Sequence, residues 1–337
     1  MQVIELTGWG LEHIAAGERA APPAPGLGEL LLEMRAATVN FRDFVFARGG
    51  YGRESGTLPR VLLSDGAGQV IATGAGVTRA AIGDLVCPIV MPQWHSGPLR
   101  DEHRAHALGG TSDGVMAERM LVKEDAVVRA PQGFAAAEAA ALPCAAVTAW
   151  NALVMAAVKP GDLVLTQGTG GVSLFAMQFA RALGATVVVT SSSDAKLQRA
   201  RALGGQLGIN YHRMPEWAAE LRRLTGGRGA DLVIELGGAQ SLSQSVRAVR
   251  TGGTVALIGV LSGANAELEL GRVVTRGLRL QAVTLGSRDS FEAMVRFIDQ
   301  HHLKPAIDER RFAFAETRAA IATIAQGRHF GKLAIEF

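Results

Sequence analysis

The chain has 337 residues, 48% of them apolar, which is enough to build two substantial cores. Its formal charge is +3, but Lys and Arg are scattered and form no basic run interleaved with aromatics, which argues against a nucleic-acid partner. No uncharged apolar stretch of about 18 residues suggests a membrane span. MQVIELTGWG shows no secretion signal, and two cysteines, Cys87 and Cys144, fit a reducing cytoplasm rather than a disulfide framework.

Residues 1–125 read as β-rich, with strands predicted over 30–37, 66–76, 84–88 and 115–122. The polar stretch 94–114 has no clear period and reads as a long loop. Helices are predicted over 135–141, ending at Pro143, and over 147–157. From Lys159 the pattern changes to alternation: strand 163–167, helix 173–183, strand 186–190, helix 195–203, strand 207–210 and helix 216–224. Strand 231–236, helix 240–250 and strands 254–260 and 278–285 complete it. Such alternation predicts an α/β fold with a doubly wound parallel sheet. Helix 291–301 and the strand-like ending KLAIEF return to the first domain. The domains are therefore expected at 1–145 with 287–337, and at 146–286.

The most informative stretch is Leu163–Ser193, a strand, a glycine-rich turn, an apolar helix and a second strand. The turn reads Gly168-Thr169-Gly170-Gly171-Val172-Ser173. Gly168 permits a tight turn, Gly170 lets a pyrophosphate approach the backbone, and the helix start offers unpaired N–H groups with a positive dipole end. A lone G-x-G is a weak signal; its strand, helix and strand make it a strong one for a dinucleotide.

An NAD-selective site carries an acidic residue at the end of the second strand, for the ribose 2′-hydroxyl. Here stand Thr190, Ser191, Ser192 and Ser193, with Lys196 one turn on, which leaves room for a 2′-phosphate and favours NADP(H) over NAD(H). Asp194 either turns inward and favours NAD(H), or shares with Ser193 the candidacy for helix N-cap.

Together these elements resemble the medium-chain dehydrogenase/reductase superfamily, over nearly the whole chain. The resemblance is carried by Val39-Asn40-Phe41-Arg42-Asp43, Leu63-Ser64-Asp65-Gly66-Ala67-Gly68 and Ala141–Trp150. Gly168–Ser173, Leu257–Gly263 and Gly327–Lys332 add to it. It implies a Rossmann dinucleotide-binding domain beside a GroES-like substrate domain, and it looks like the zinc-free, quinone-oxidoreductase-like branch.

In the zinc members the first ligand, a cysteine, falls at Asn40, the second, a histidine, at Ser64, and a third, a cysteine, at Cys144. One thiolate holds no zinc, and 94–114 lacks the four cysteines of a structural zinc lobe, so no metal is expected. His103-x-x-His106, with His95 in the same loop, forms a loose alternative spacing, weighed against ordinary solvated histidines.

Without zinc, hydride delivery to a quinone or an enone is easier than alcohol oxidation, because the acceptor is already electrophilic. Three catalytic candidates follow, each with a structural alternative. Asn40 is either a donor to a substrate carbonyl or an amide capping the turn before Asp43. The resemblance places Tyr51 in the substrate cleft, the alternative being an exposed loop tyrosine, and Thr148 against the nicotinamide, the alternative being a threonine that bonds to its own helix. Arg42, Asp43 and Asp65 read as supporting residues, and Trp94 and Trp150 as cleft or core aromatics.

On the cofactor side the resemblance places Tyr211 near the 2′-phosphate with Ser192 and Lys196, and Gly237 and Gly238 near the ribose. It lays Val260, Leu261 and Ser262 along the carboxamide. Lys332 either reaches back to the cofactor or is a solvated lysine. The leading expectation is an NADPH-dependent reductase of quinones, enones or similar carbonyl compounds. A zinc-independent alcohol dehydrogenase and a non-catalytic NADPH-binding protein are the alternatives. Strand 278–285 is expected at a sheet edge that invites pairing, and the resemblance implies that it pairs with its twofold mate in a homodimer.

Overall fold

The computed structural model describes residues 1–337, apart from the side chains of Arg53 and Glu54. The chain forms two compact units, Met1–Val147 with Leu285–Phe337, and Thr148–Thr284.

The first unit opens with β1 (Gln2–Leu6), which pairs antiparallel with β2 (Ile14–Glu18). Then comes its spine, β3 (Glu29–Val39), followed by the short helix α1 (Phe41–Ala47). β4 (Arg60–Val61) joins β1, and β5 (Asp65–Thr73) runs antiparallel to β3. β6 (Leu85–Pro88), α2 (Asp101–Arg104), β7 (Arg119–Lys123), β8 (Val127–Arg129) and α3 (Ala136–Ala140) complete the first pass. The imperfect alternation of β3 has a cause. Its first half buries every second residue, whereas Ala36–Val39 are all buried and α3 packs on the strand. Gly66 is needed for packing, since a Cβ there would sit 2.7 Å from the Met34 methyl carbon and 2.9 Å from Val115.

α4 (Val147–Met155) leads into the second unit. The helical stretch Ala136–Met155 has the length and apolar composition of a membrane span, but 67% of its window is buried, as in a core helix. The unit then alternates as expected: β9 (Leu163–Gln167), α5 (Gly171–Ala182), β10 (Thr186–Ser191), α6 (Asp194–Ala202) and β11 (Leu207–Asn210). It continues with α7 (Trp217–Leu224), β12 (Ala230–Glu235), α8 (Leu242–Ala248), β13 (Val249–Leu257), α9 (Leu270–Thr275) and β14 (Arg279–Ala282). The sheet order is β11-β10-β9-β12-β13-β14 and every pairing is parallel, so the order reverses between β9 and β12. Ligands bind beyond the carboxyl ends of the strands at such a switch point.

The chain returns to the first unit through α10 (Arg288–His301), β15 (Ile307–Ala313), α11 (Thr317–Ala325) and β16 (Lys332–Glu336). β16 lies between β15 and β3 in a seven-stranded sheet ordered β15-β16-β3-β5-β6-β8, with β7 also on β3.

Three differences from the sequence reading have physical causes. α8 stops at Ala248 rather than 250, because β13 begins before its glycines and shifts register there, with Gly252 at φ 72°. α9 escapes the periodicity because none of its residues is buried. β15 reads IDERRFA, too charged to signal a strand, because it lies at a sheet edge.

Candidate functional site

Sheet register assembles the first group. Thr38 on β3 pairs with Asp65 at the start of β5, and Leu333 on β16 pairs with Val39. Asn40 and Lys332 are thereby brought together beside Asp65. The Lys332 ammonium, 2% exposed, donates to Asn40 Oδ1 at 2.5 Å and to Asp65 Oδ2 at 3.0 Å. Thr38 Oγ1 donates to the Ala140 carbonyl at 2.8 Å and lies 3.4 Å from Asp65 Oδ2, and Ser64 Oγ lies 3.4 Å from Asp65 Oδ1.

Asn40 is the N-cap residue of α1, but its side chain makes no cap bond. The cap bond runs the other way, from the Asn40 backbone N–H to Asp43 Oδ2 at 2.7 Å. Among the described residues Asn40 Nδ2 is buried without a partner, as is Asp43 Oδ1. Burial pushes the Asp43 carboxyl up to about 6; the Arg42 charge and the Asn40 N–H pull it down, and Asp65 pushes it up.

Tyr51 joins this group. It is 43% exposed, yet loss of hydration raises its phenol above the usual tyrosine range, with Arg42 opposing the shift and Asp43 and Cys144 adding to it. The sequence expects Lys332 to reach a cofactor or lie in solvent; the structure holds its ammonium on Asn40 and Asp65.

The residues at the zinc positions are poor zinc donors. Asn40 Oδ1 already accepts from an ammonium, Ser64 offers a neutral hydroxyl, and burial pushes the Cys144 thiol up to about 12. A tetrahedral zinc takes thiolate, imidazole or carboxylate donors, so this set does not fit the metal. His103, the other metal candidate, stacks on Trp94 at 5.9 Å between ring centroids, and its Nδ1 accepts from the Arg100 N–H. Its partner in the spacing, His106, is exposed. Among the described residues no three His, Cys, Asp or Glu side chains gather as a metal site.

The second group surrounds the glycine-rich turn. Gly168 takes φ 75°, the left-handed region that glycine enters without strain, and Gly170 is the N-cap of α5. No side chain caps that helix. The first helical bond is Leu174 N–H to the Gly170 carbonyl, so the N–H groups of Gly171, Val172 and Ser173 precede it. Thr169 is buried beside them, and Ser173 turns its hydroxyl back to the Gln167 carbonyl. An uncapped N-terminus on a twelve-residue helix at a switch point fits a pyrophosphate.

The sequence reading missed the residues that frame this turn. Glu235, 1% exposed, accepts from Gln167 Nε2 at 2.7 Å, from the Gly238 N–H at 2.9 Å, and from the Ser241 and Ser245 hydroxyls. Gln167 Oε1 accepts from the Leu236 and Gly237 N–H groups. The Gly237 carbonyl accepts from both the N–H and the hydroxyl of Ser262, while Val260 and Leu261 expose their side chains. A Cβ on Gly238 would lie 2.6 Å from the Gly263 oxygen, so the loops after β12 and β13 pack backbone to backbone. Thr148 is buried at the start of this unit, and Trp150 packs edge-on against Phe179 as a core aromatic.

At the other end of the turn, Ser193 is the N-cap of α6, its hydroxyl accepting from the Lys196 N–H. Asp194 is therefore not the cap. Its carboxylate accepts from Asn210 Nδ2 at 2.8 Å and pairs with Arg213 at 2.5 Å. Ser191 is buried and pairs in register with Asn210, and the Tyr211 N–H donates to the Ser191 carbonyl. Ser192 thus follows the end of β10, Tyr211 and Arg213 follow the end of β11, and Lys196 lies in the first turn of α6. Arg213 carried no sequence signal, because only the β11 turn brings it to Asp194.

Known proteins resemble both units of the chain. Residues 26–132 match the alcohol dehydrogenase GroES-like domain, and residues 171–300 match the zinc-binding dehydrogenase domain. A zinc-type alcohol dehydrogenase-like protein of Schizosaccharomyces pombe is 36% identical over 97% of this chain and 96% of its own. A solved NAD-dependent alcohol dehydrogenase superposes with a TM-score of 0.90 at 31% identity, over 100% of both chains. A mycobacterial protein solved with NADPH superposes at 0.83 with 26% identity, again over 100% of both. With a GroES-like unit, a parallel sheet of doubly wound order and a relative matched end to end, the chain belongs to the medium-chain dehydrogenase/reductase superfamily and is an oxidoreductase of its alcohol dehydrogenase-like kind.

Proposed function

We propose that this oxidoreductase reduces quinones, enones or similar activated carbonyl compounds with NADPH and without catalytic zinc. The supporting observation is Asn40, an amide whose buried Nδ2 has no partner, standing where a zinc enzyme needs a thiolate. A buried donor without an acceptor costs about 1–3 kcal/mol, which an incoming oxygen would recover. Bound NADPH supplies the hydride. Asn40 Nδ2 donates to the oxygen on which enolate or phenolate charge develops, where one preorganised donor is worth about 10²-fold in rate. Tyr51, its phenol held above the usual tyrosine range by loss of hydration, orients the carbonyl and gives the oxygen its proton. Thr148 would line the nicotinamide end of the cofactor site, and Asp43 fixes the Asn40 backbone.

The uncapped N-terminus of α5 receives the pyrophosphate, and Ser192, Lys196, Tyr211 and Arg213 receive the 2′-phosphate. NADPH is preferred because Asp194 is occupied by Asn210 and Arg213, which takes away the acceptor that an NAD site offers the 2′-hydroxyl. NADH remains a usable second cofactor.

A zinc-independent alcohol dehydrogenase is the second reading; the relatives' descriptions as alcohol dehydrogenases favour its substrate class, not the absence of zinc. Steady-state oxidation of NADPH and NADH by chelator-treated protein, with quinones, enones and aldehydes as acceptors, separates the two.

The unit ending at β14 also leaves an open sheet edge, with Val260, Leu261, Leu270 and Val274 exposed in the same unit. We infer that this edge pairs with a second copy, so that sedimentation at micromolar concentration reports a dimer.

A further inference from the structure

We propose that Lys332 is a positioning residue that fixes and polarises the Asn40 carboxamide for its work on the substrate oxygen, an inference that rests on the donor role of Asn40. An ammonium has donors and no acceptor, so the Asn40 atom facing Lys332 Nζ at 2.5 Å is the oxygen. Nδ2 is thereby turned away from Lys332, into the place where it is buried and without a partner. A neutral neighbour would let the amide flip, with its oxygen toward the substrate and no donor left for a developing oxyanion.

The same bond acts electronically. A cation on the carbonyl oxygen draws density from the amide nitrogen, and its N–H groups become stronger donors, as linked hydrogen bonds reinforce each other in a low-dielectric interior. Lys332 is itself held by Asp65, which stands near the Thr38 and Ser64 hydroxyls. The chain Asp65–Lys332–Asn40 crosses three adjacent strands, β5, β3 and β16, so its geometry is set by sheet register rather than by a loop. A lysine placed only for stability would need Asp65 alone; the second bond, to an amide with a free end, is what assigns it to the reaction.

Removing Lys332 alone leaves the buried Asp65 carboxyl without its cation, which endangers folding. The test therefore uses two proteins, Lys332→Met and the charge-neutral pair Lys332→Met with Asp65→Asn. The first readout is the Asn40 side-chain amide in 15N-labelled protein without cofactor, identified by its loss in Asn40→Ala. Its resonances should shift and exchange with solvent faster in whichever variant folds. The second readout is kinetic: kcat with an enone should fall about 10-fold, a smaller loss than for deleting the donor itself, while KM for NADPH stays within about 3-fold.

An unmoved amide overturns the inference whatever the activity, and so does a moved amide with undiminished kcat in an active enzyme. Wild-type protein that reduces no acceptor sinks the proposed reaction instead, and the amide readout still decides whether Lys332 orients Asn40.

Discussion

Gln167 Nε2 donates to Glu235 Oε2 at 2.7 Å, and this bond ties the end of β9 to the end of β12, the two strands between which the sheet order reverses. The carboxylate also gathers the Ser241 and Ser245 hydroxyls and the Gly238 N–H, so one buried group fixes both the approach to the glycine-rich turn and the facing loop. Glu235→Ala leaves the buried Ser245 hydroxyl and three half-buried donors without their acceptor, which should cost about 3 kcal/mol of stability. Affinities for NADPH and NADH should weaken together, with their ratio unchanged. Urea unfolding and fluorescence titration with both cofactors check this; a selective loss of one cofactor would place Glu235 in recognition instead.

Asn40→Ala removes the partnerless donor and leaves Lys332 with Asp65. The expected result is a fall in kcat of about 10²-fold with enones and quinones, at nearly unchanged cofactor affinity. Single-turnover kinetics on the NADPH-loaded protein reads the chemical step directly. A variant with wild-type kcat would return Asn40 to a purely structural role.

Arg213→Ala should weaken NADPH by about 10-fold or more, the worth of a charge-assisted hydrogen bond, and leave NADH within about 3-fold. Freeing Asp194 of its cation also restores an acceptor for the 2′-hydroxyl, which moves selectivity the same way. Competitive titrations of the two cofactors on wild type and variant give the ratio.

Asp43 should make stability depend on pH. Its folded carboxyl, pushed up to about 6, lies above the unfolded value, so the native protein holds the proton more tightly than the unfolded chain does. The stabilisation is fully present below about pH 4 and is lost as pH rises through 6, amounting to about 2 kcal/mol between pH 4.5 and 7. Asp43→Asn cannot ionise, so its stability relative to wild type should increase across that window, as urea unfolding at the two pH values would reveal.

The fold was readable because strand and helix alternate cleanly from Lys159 and because Gly168–Ser173 sits between them. The ends of elements were less so: α8 yields to β13 at Val249 since glycines absorb a register shift that sequence presents as a turn. In the site, Asn40, Tyr51 and the turn glycines stood out by type and position. The sequence leaves Lys332 open between a cofactor contact and a solvated lysine, and hides its contacts because its partners Asn40 and Asp65 lie 292 and 267 positions away in the chain. Glu235 and Gln167 carried no signal, since a buried carboxylate at a strand end looks in sequence like any acidic residue before a loop.

The most direct measurement is NADPH oxidation by metal-stripped protein with quinones and enones, against aldehydes as the contrasting acceptors. The account expects turnover of quinones or enones that chelator does not diminish and that NADPH supports better than NADH. Activity confined to aldehydes, or activity that appears only when zinc is restored, would contradict it.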